Sequence, residues 1–192
     1  YVWIVVNDGG DEEAVRAVID GCSVDRRKIR LVSNARSLGM EAASNIGVTS
    51  CESDYVVIHD DDDSWEPDFL ARTVGYLGEH EALYDGVVTH STHVTEEIRN
   101  GSVVERERKP FNSWLSTVQL AEMAVANSFP PIAFLYRRAL WERLGGYDES
   151  LPVLGDWDFN LRFLLESDIG VLDAPLANYH HRTGTGTQDS YA

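Results

Sequence analysis

Four consecutive carboxylates, Asp60-Asp61-Asp62-Asp63, follow the apolar run Tyr55-Val56-Val57-Ile58-His59. Adjacent like charges repel, so a chain keeps them where a cation sits among them or where water screens them fully. A buried strand that delivers them to a fixed place favours a divalent cation with hard oxygen ligands. Side chains alternate along an extended segment, so Asp60 and Asp62 can face one site. The alternative is a solvated loop in which Asp63 or Ser64 caps a helix that opens near Pro67.

The elements that must carry these acids alternate. Residues 1–6 read as a buried strand ended by the turn cluster Asn7-Asp8-Gly9-Gly10. Residues 11–19 read as a helix with Ala14, Val15, Val18 and Ile19 on one stripe. A second strand at 29–32 leads through a polar loop, 33–39, into a helix over 40–48. The third strand is 55–59 and the third helix 67–77. This alternation predicts a parallel sheet with right-handed crossovers. Ligands bind such sheets at the carboxyl ends of the strands, so loops 7–10, 33–39 and 60–64 are expected to line one crevice. Past residue 85 the pattern mixes. Strands at 86–97 and 102–108 flank Asn100-Gly101, a hairpin signal. Helices are expected over 113–126, 138–144 and 155–165, and strands at 133–136, 169–172 and 176–180.

Composition narrows the partners. The 192 residues suffice for one α/β domain with a sizeable core. A formal charge of -16 argues against a nucleic-acid backbone or an anionic membrane surface as the main partner. It also means that an anionic substrate needs a metal or a local cluster of Arg and Lys. Cys22 and Cys51 lack metal-ligand spacing and read as packing residues. Sparse cysteine, no signal-peptide pattern and no transmembrane-length apolar run fit a cytoplasmic protein, with peripheral contact at the inner membrane face compatible. The chain opens on a strand at its binding loop, so a preceding strand and helix are expected.

Four stretches, in order, resemble family 2 of the GT-A glycosyltransferases, a large inverting group. Asn7-Asp8-Gly9-Gly10 resembles that family's Asp-Asp-Gly-Ser turn, and Gly39 through Asn45-Ile46-Gly47 its Ala-Arg-Asn-x-Gly helix. Asp60 to Asp63, with Trp65 and Pro67, resembles its DxD metal motif. Gly145-Gly146-Tyr147-Asp148-Glu149, then Gly155-Asp156-Trp157-Asp158 and Arg162, resembles its acceptor-side Gly-Gly-Phe-Asp-Glu and Glu-Asp-Trp-Asp segment. The resemblance implies an α/β GT-A (Rossmann-like) fold: a mostly parallel central sheet, helices on both faces and a small antiparallel hairpin region. It implies one domain over 1–192, with a nucleotide-sugar half at 1–85 and an acceptor and catalytic half at 86–192.

The same resemblance implies a reaction. A nucleotide-diphosphate sugar is the donor, and a saccharide or lipid-linked alcohol is the acceptor. Mn²⁺ or Mg²⁺ is held by Asp62, with Asp63 and His180. Asp8, Asn34, Gly39, Asn45, Asp60, Asp61 and Arg182 contact the nucleotide, and Trp157 and Asp158 the acceptor. Asp156 is the general base for the attacking hydroxyl, or else the cap of its helix. A carboxylate suits the N–H of uracil, but thymine offers the same edge, so UDP and dTDP both stay open.

The sequence departs from the family in two further places: Gly155 stands where members often carry Glu, and Ser44 where they carry Arg. Rival readings fit less well. A haloacid-dehalogenase phosphatase wants Gly-Thr after its acids and a downstream Lys, but Asp63-Ser64-Trp65 follows and only Lys28 and Lys109 exist. An EF-hand loop wants Gly and Glu where Trp65 and Ala71 stand. A non-catalytic carbohydrate- or nucleotide-binding module on the same fold is the rival from another class.

Overall fold

The structure, a computed structural model, describes residues 1–183. Strands β1 (Trp3–Asp8) and β2 (Ile29–Asn34) pair in parallel, from Trp3 opposite Ile29 to Asp8 opposite Asn34. Between them, α1 (Glu12–Gly21) starts at Asp11, whose carboxylate accepts the N–H groups of Glu13 at 2.9 Å and Ala14 at 3.3 Å. Glu12 and Glu13 reinforce that cap by facing the positive end of the helix dipole. The apolar stripe is narrower than its spacing predicts: only Ile19 of this helix is buried, and Val18 is 75% exposed.

The chain continues through α2 (Met40–Thr49), β3 (Tyr55–Val57), a two-residue β4 (Ser64–Trp65) and α3 (Phe69–Glu79). Next come β5 (Gly86–Arg99) and β6 (Ser102–Pro110), joined by Asn100 at φ 52° and Gly101 at φ 78°. Two left-handed residues in succession form the turn whose twist matches an antiparallel hairpin. α4 (Leu120–Met123), β7 (Phe134–Arg137), α5 (Arg138–Leu144), α6 (Gly155–Glu166) and β8 (Ile169–Thr183) complete the described chain.

The larger sheet runs β3-β7-β5-β8-β4, with β6 added on β5. β5 and β8 are parallel over most of their length, while β7 lies antiparallel between β3 and β5. Two expectations change. The separate strands at 169–172 and 176–180 are one strand, with Pro175 where the register against β5 shifts. A residue without an N–H fits inside a long strand at such an irregularity. The helix over 113–126 shrinks to α4. The chain before it is held instead by buried Asn112, which accepts the Ser91 N–H at 2.7 Å and donates to the Ser128 carbonyl at 3.0 Å. Ser116, Thr117 and Val118 add weak helix formers there.

The core is aromatic. Phe159 and Phe163 of α6 pack on β7, with ring centroids 5.2 Å from Tyr136 and 5.1 Å from Phe134. This packing fixes α6 against the sheet, and with it the placement of Gly155 and Asp156 at its head.

Candidate active site

The first two polar loops meet, as the strand-end argument requires. Asp8 closes β1, and its carboxylate reaches across to the loop after β2. It accepts from Asn34 Nδ2 at 2.7 Å, Ser37 Oγ at 2.8 Å and the N–H groups of Leu38 and Gly39 at 2.9 and 3.0 Å. Burial raises its pKa, but these hydrogen bonds together outweigh burial and hold the carboxyl below its usual value. Gly9, at φ 84°, lies so close that a Cβ would stand 2.4 Å from the Ser37 nitrogen. Gly39, at φ 100°, then starts α2. Asp8, Asn34 and Gly39 are therefore together. Both carboxylate oxygens of Asp8, expected to contact a nucleotide base, are engaged in shaping this loop.

The acidic turn lies between β3 and β4. Asp60 is pushed up to about 6 by burial, then by the charges of Asp62, Asp156 and Asp61. Asp63 is buried and pushed up to about 7 by burial, although it accepts the His180 N–H at 2.8 Å. Asp61 and Asp62 stand exposed at the turn. Along β8 the side chains alternate. His180 and Arg182 share one face, where His180 Nδ1 lies 2.8 Å and Arg182 Nε 3.6 Å from the Glu96 carboxylate. His180 Nε2 is also 2.9 Å from Ser64 Oγ. Both ring nitrogens of His180, expected as a metal ligand, meet partners within the chain, and Arg182, expected at the nucleotide, lies beside Glu96.

Tyr179 and His181 share the other face. Their rings meet edge to face at 4.2 Å, and His181 stacks on His93 at 4.5 Å. Tyr179 has its pKa raised by burial, then by Asp63, Asp60, Asp156 and Asp62. Burial and His93 lower that of His181, and Asp62 pulls it back up. These two residues, not His180, face the acids. The two-residue alternation of a strand would have separated them from His180 had the register been known.

The third part of the site is the head of α6. Asp156 Oδ2 accepts from Asn127 Nδ2 at 2.8 Å. Its pKa is raised by burial, against hydrogen bonds from the Trp157 N–H and Asn127, with the charge of Glu41 adding to the rise. Glu41, from α2, is buried, and its Oε1 accepts the Gly155 N–H at 3.1 Å. Asn127, Glu41 and Tyr179 carried no sequence signal for this site; folding brings them in from distant segments.

Three residues expected at ligands make contacts within the chain. Asn45 is clamped to the loop after α5: its Nδ2 donates to the Tyr147 carbonyl at 2.9 Å and Glu149 at 2.8 Å, and its Oδ1 accepts the Tyr147 N–H at 2.9 Å. Both amide hydrogens are thus taken within the chain. Trp157 donates its indole N–H to the Met123 carbonyl at 2.6 Å and packs on the core, so it anchors α6 to α4 rather than walling an acceptor. Asp158 pairs with Arg162 at 2.8 Å, and Arg162 in turn holds the carbonyls of Leu144 and Gly146.

Among the described residues no three His, Cys, Asp or Glu side chains form a ready-made metal cage. The chemistry nevertheless suits a cation: several hard oxygen donors lie together, and Asp63 Oδ2 is buried without a hydrogen-bond partner.

Known proteins are similar to this chain. Residues 2–145 match the family described as Glycosyl transferase family 2. An uncharacterized glycosyltransferase, YwdF, of Bacillus subtilis (strain 168) is 28% identical over 163 residues, covering 84% of this chain and 56% of that protein. A PGL/p-HBAD biosynthesis glycosyltransferase of Mycobacterium bovis (strain BCG / Pasteur 1173P2) is 26% identical over 163 residues, 83% of this chain and 57% of its own length. The crystal structure of S. aureus TarS 1-349 in complex with UDP-GlcNAc superposes with a TM-score of 0.72 at 20% identity, over 98% of this chain and 52% of that one. The chain thus spans little more than half the length of these relatives, and it has the α/β fold of TarS, the GT-A architecture expected from its motifs. With the family signature running from its first strand to the end of α5, this chain belongs to glycosyltransferase family 2.

Proposed function

We propose that this chain carries the active site of an inverting, metal-assisted glycosyltransferase that moves a sugar from a UDP- or dTDP-linked donor to a hydroxyl of a saccharide or lipid-linked acceptor. One observation carries the reading: Asp60 in the acidic turn and Asp156 at the head of α6 stand close enough for the charge of one to raise the pKa of the other. The nucleotide-sugar complex of TarS supports the donor class.

A nucleoside diphosphate leaving group carries two or more negative charges, which a site built of carboxylates repels. Asp62, with Asp60 or Asp63, would hold Mn²⁺ or Mg²⁺, and His181 is an imidazole on that side. When bound, the cation neutralises charge on the departing diphosphate. The acceptor hydroxyl attacks the anomeric carbon from the face opposite the diphosphate. The new C–O bond forms as the old one breaks, and the configuration inverts. Asp156 takes the hydroxyl proton, and Asn127 fixes the orientation of its carboxylate at 2.8 Å. A base kept above ordinary carboxylate pKa is better matched to that proton. Among the described residues no helix is long and apolar enough to cross a membrane. The reading places the site in the cytoplasm, at the membrane face if the acceptor is lipid-linked.

The test is release of nucleoside diphosphate from UDP- and dTDP-sugars with saccharide acceptors, with and without Mn²⁺. Metal-dependent release with inverted product, lost in Asp62→Ala, is expected. Tight donor binding without release across the panel would make the chain a binding module.

A further inference from the structure

Position 155 has no side chain, and the structure gives a reason. A Cβ on Gly155 would stand 2.3 Å from Glu41 Cγ and 2.4 Å from Glu41 Oε1. Gly155 has no positive φ, so its backbone does not demand glycine; the space does. That space is filled by the buried side chain of Glu41, delivered from the first turn of α2. Its carboxylate accepts the Gly155 N–H at 3.1 Å, one of the unpaired donors at the start of α6. The helix has no side-chain cap of its own, because its N-cap position is Leu154. A carboxylate at a helix N-terminus meets both a free donor and the positive end of the dipole.

We propose that Glu41 is a positioning residue for the transfer reaction, supplying from α2 the carboxylate that position 155 cannot carry and thereby fixing where Asp156 stands. The inference rests on the reading of Asp156 as the base. Glu41 belongs to the nucleotide half of the chain and Asp156 to the acceptor half, so one buried contact aligns the base with the donor. Glu41 also acts on Asp156 through its charge. Among the described residues, Asp60 from the acidic turn, Tyr147 from the loop after α5 and Tyr179 from β8 also share an electrostatic interaction with Asp156. None of these is a cation, so none offsets the effect of Glu41.

Glu41→Gln keeps the volume and an acceptor for the Gly155 N–H but removes the charge. With UDP- and dTDP-sugars and Mn²⁺, its kcat for nucleoside diphosphate release is expected to fall about tenfold or more, with donor Kd unchanged. The acid limb of its pH profile is expected to move to lower pH. Carboxyl ¹³C NMR of the full chain reads Asp156 directly, without turnover, and should show it titrating at lower pH in Glu41→Gln. The exchanged pair Glu41→Ala with Gly155→Glu should recover most of the activity lost by Glu41→Ala alone. An unaltered Asp156 titration in Glu41→Gln, or an exchanged pair no more active than Glu41→Ala, overturns the inference. Transfer that survives Asp156→Asn sinks the base reading instead, and the carboxyl titration still decides whether Glu41 acts on Asp156.

Discussion

Half-buried Asp156 and buried Asp63 both have raised pKa values, yet the consequences differ. A general base works only when ionised, so a raised pKa moves the acid limb of activity to higher pH than an ordinary carboxylate gives. Asp156→Asn is expected to lower kcat by about 10²- to 10⁴-fold while leaving donor Kd within a factor of two or so, measured by single-turnover kinetics and calorimetry. Asp63 makes a stability statement. Its pKa rises from 3.8 to about 7 on folding, so the folded state binds the proton more tightly than the unfolded chain. Stability from that proton is complete below the unfolded value and is lost as pH rises through about 7. Asp63→Asn still accepts the His180 N–H and carries no charge. In EDTA at pH 8 it is expected to be more stable than the parent by on the order of 2 kcal/mol, with the gain vanishing near pH 4. Thermal melts across that range check the sign.

The loop that follows α5 is held by a lock between Asn45 and Gly146. Gly146 sits at φ 78°, and a Cβ there would lie 2.7 Å from Asn45 Oδ1 and 2.9 Å from the Trp141 ring. Gly146→Ala therefore combines a left-handed backbone with a steric clash and is expected to destabilise by about 1–3 kcal/mol. Asn45→Ala leaves the Tyr147 N–H and carbonyl without their side-chain partners and is expected to lose a similar amount, about 1–3 kcal/mol. Urea midpoints measure both. The two changes touch one contact, so the double variant should lose less than the sum. The lock matters for the site because Arg162 of α6 grips the Gly146 carbonyl, so the loop and the helix that carries Asp156 move together.

Taken as one charged body, the chain carries -16 and asks an anionic donor to approach. Without a divalent cation the encounter is repulsive, and salt screens repulsion as it does attraction. Metal-free affinity for UDP is therefore expected to rise with ionic strength between about 10 and 150 mM, a range over which the Debye length drops roughly from 30 to 8 Å. With Mn²⁺ present, binding should be far tighter, and the salt dependence should flatten. Calorimetry in the two conditions reads the difference; metal-free binding that weakens with salt would point to a basic donor site outside the acidic turn.

Much of this was legible along the chain. Strand–helix alternation, the Asn100-Gly101 turn and the acidic run after β3 depend on local periodicity and turn chemistry, and they stand in the structure where their spacing puts them. Local rules also placed Asp8 and Asp60 at strand ends. They could not say what each polar group would meet. Asn45, Trp157 and His180 read as ligand-facing in one dimension, yet each finds a partner from a distant segment, and Asp158 pairs with Arg162 one turn along its own helix. Tyr179, Asn127 and Glu41 were silent in one dimension, and His181 could not be told from its neighbour His180; all four end beside the acids. A hydrogen bond is satisfied by whichever donor or acceptor the packed chain brings within about 3 Å, and that choice is made only when β8, α2 and α6 close on one another.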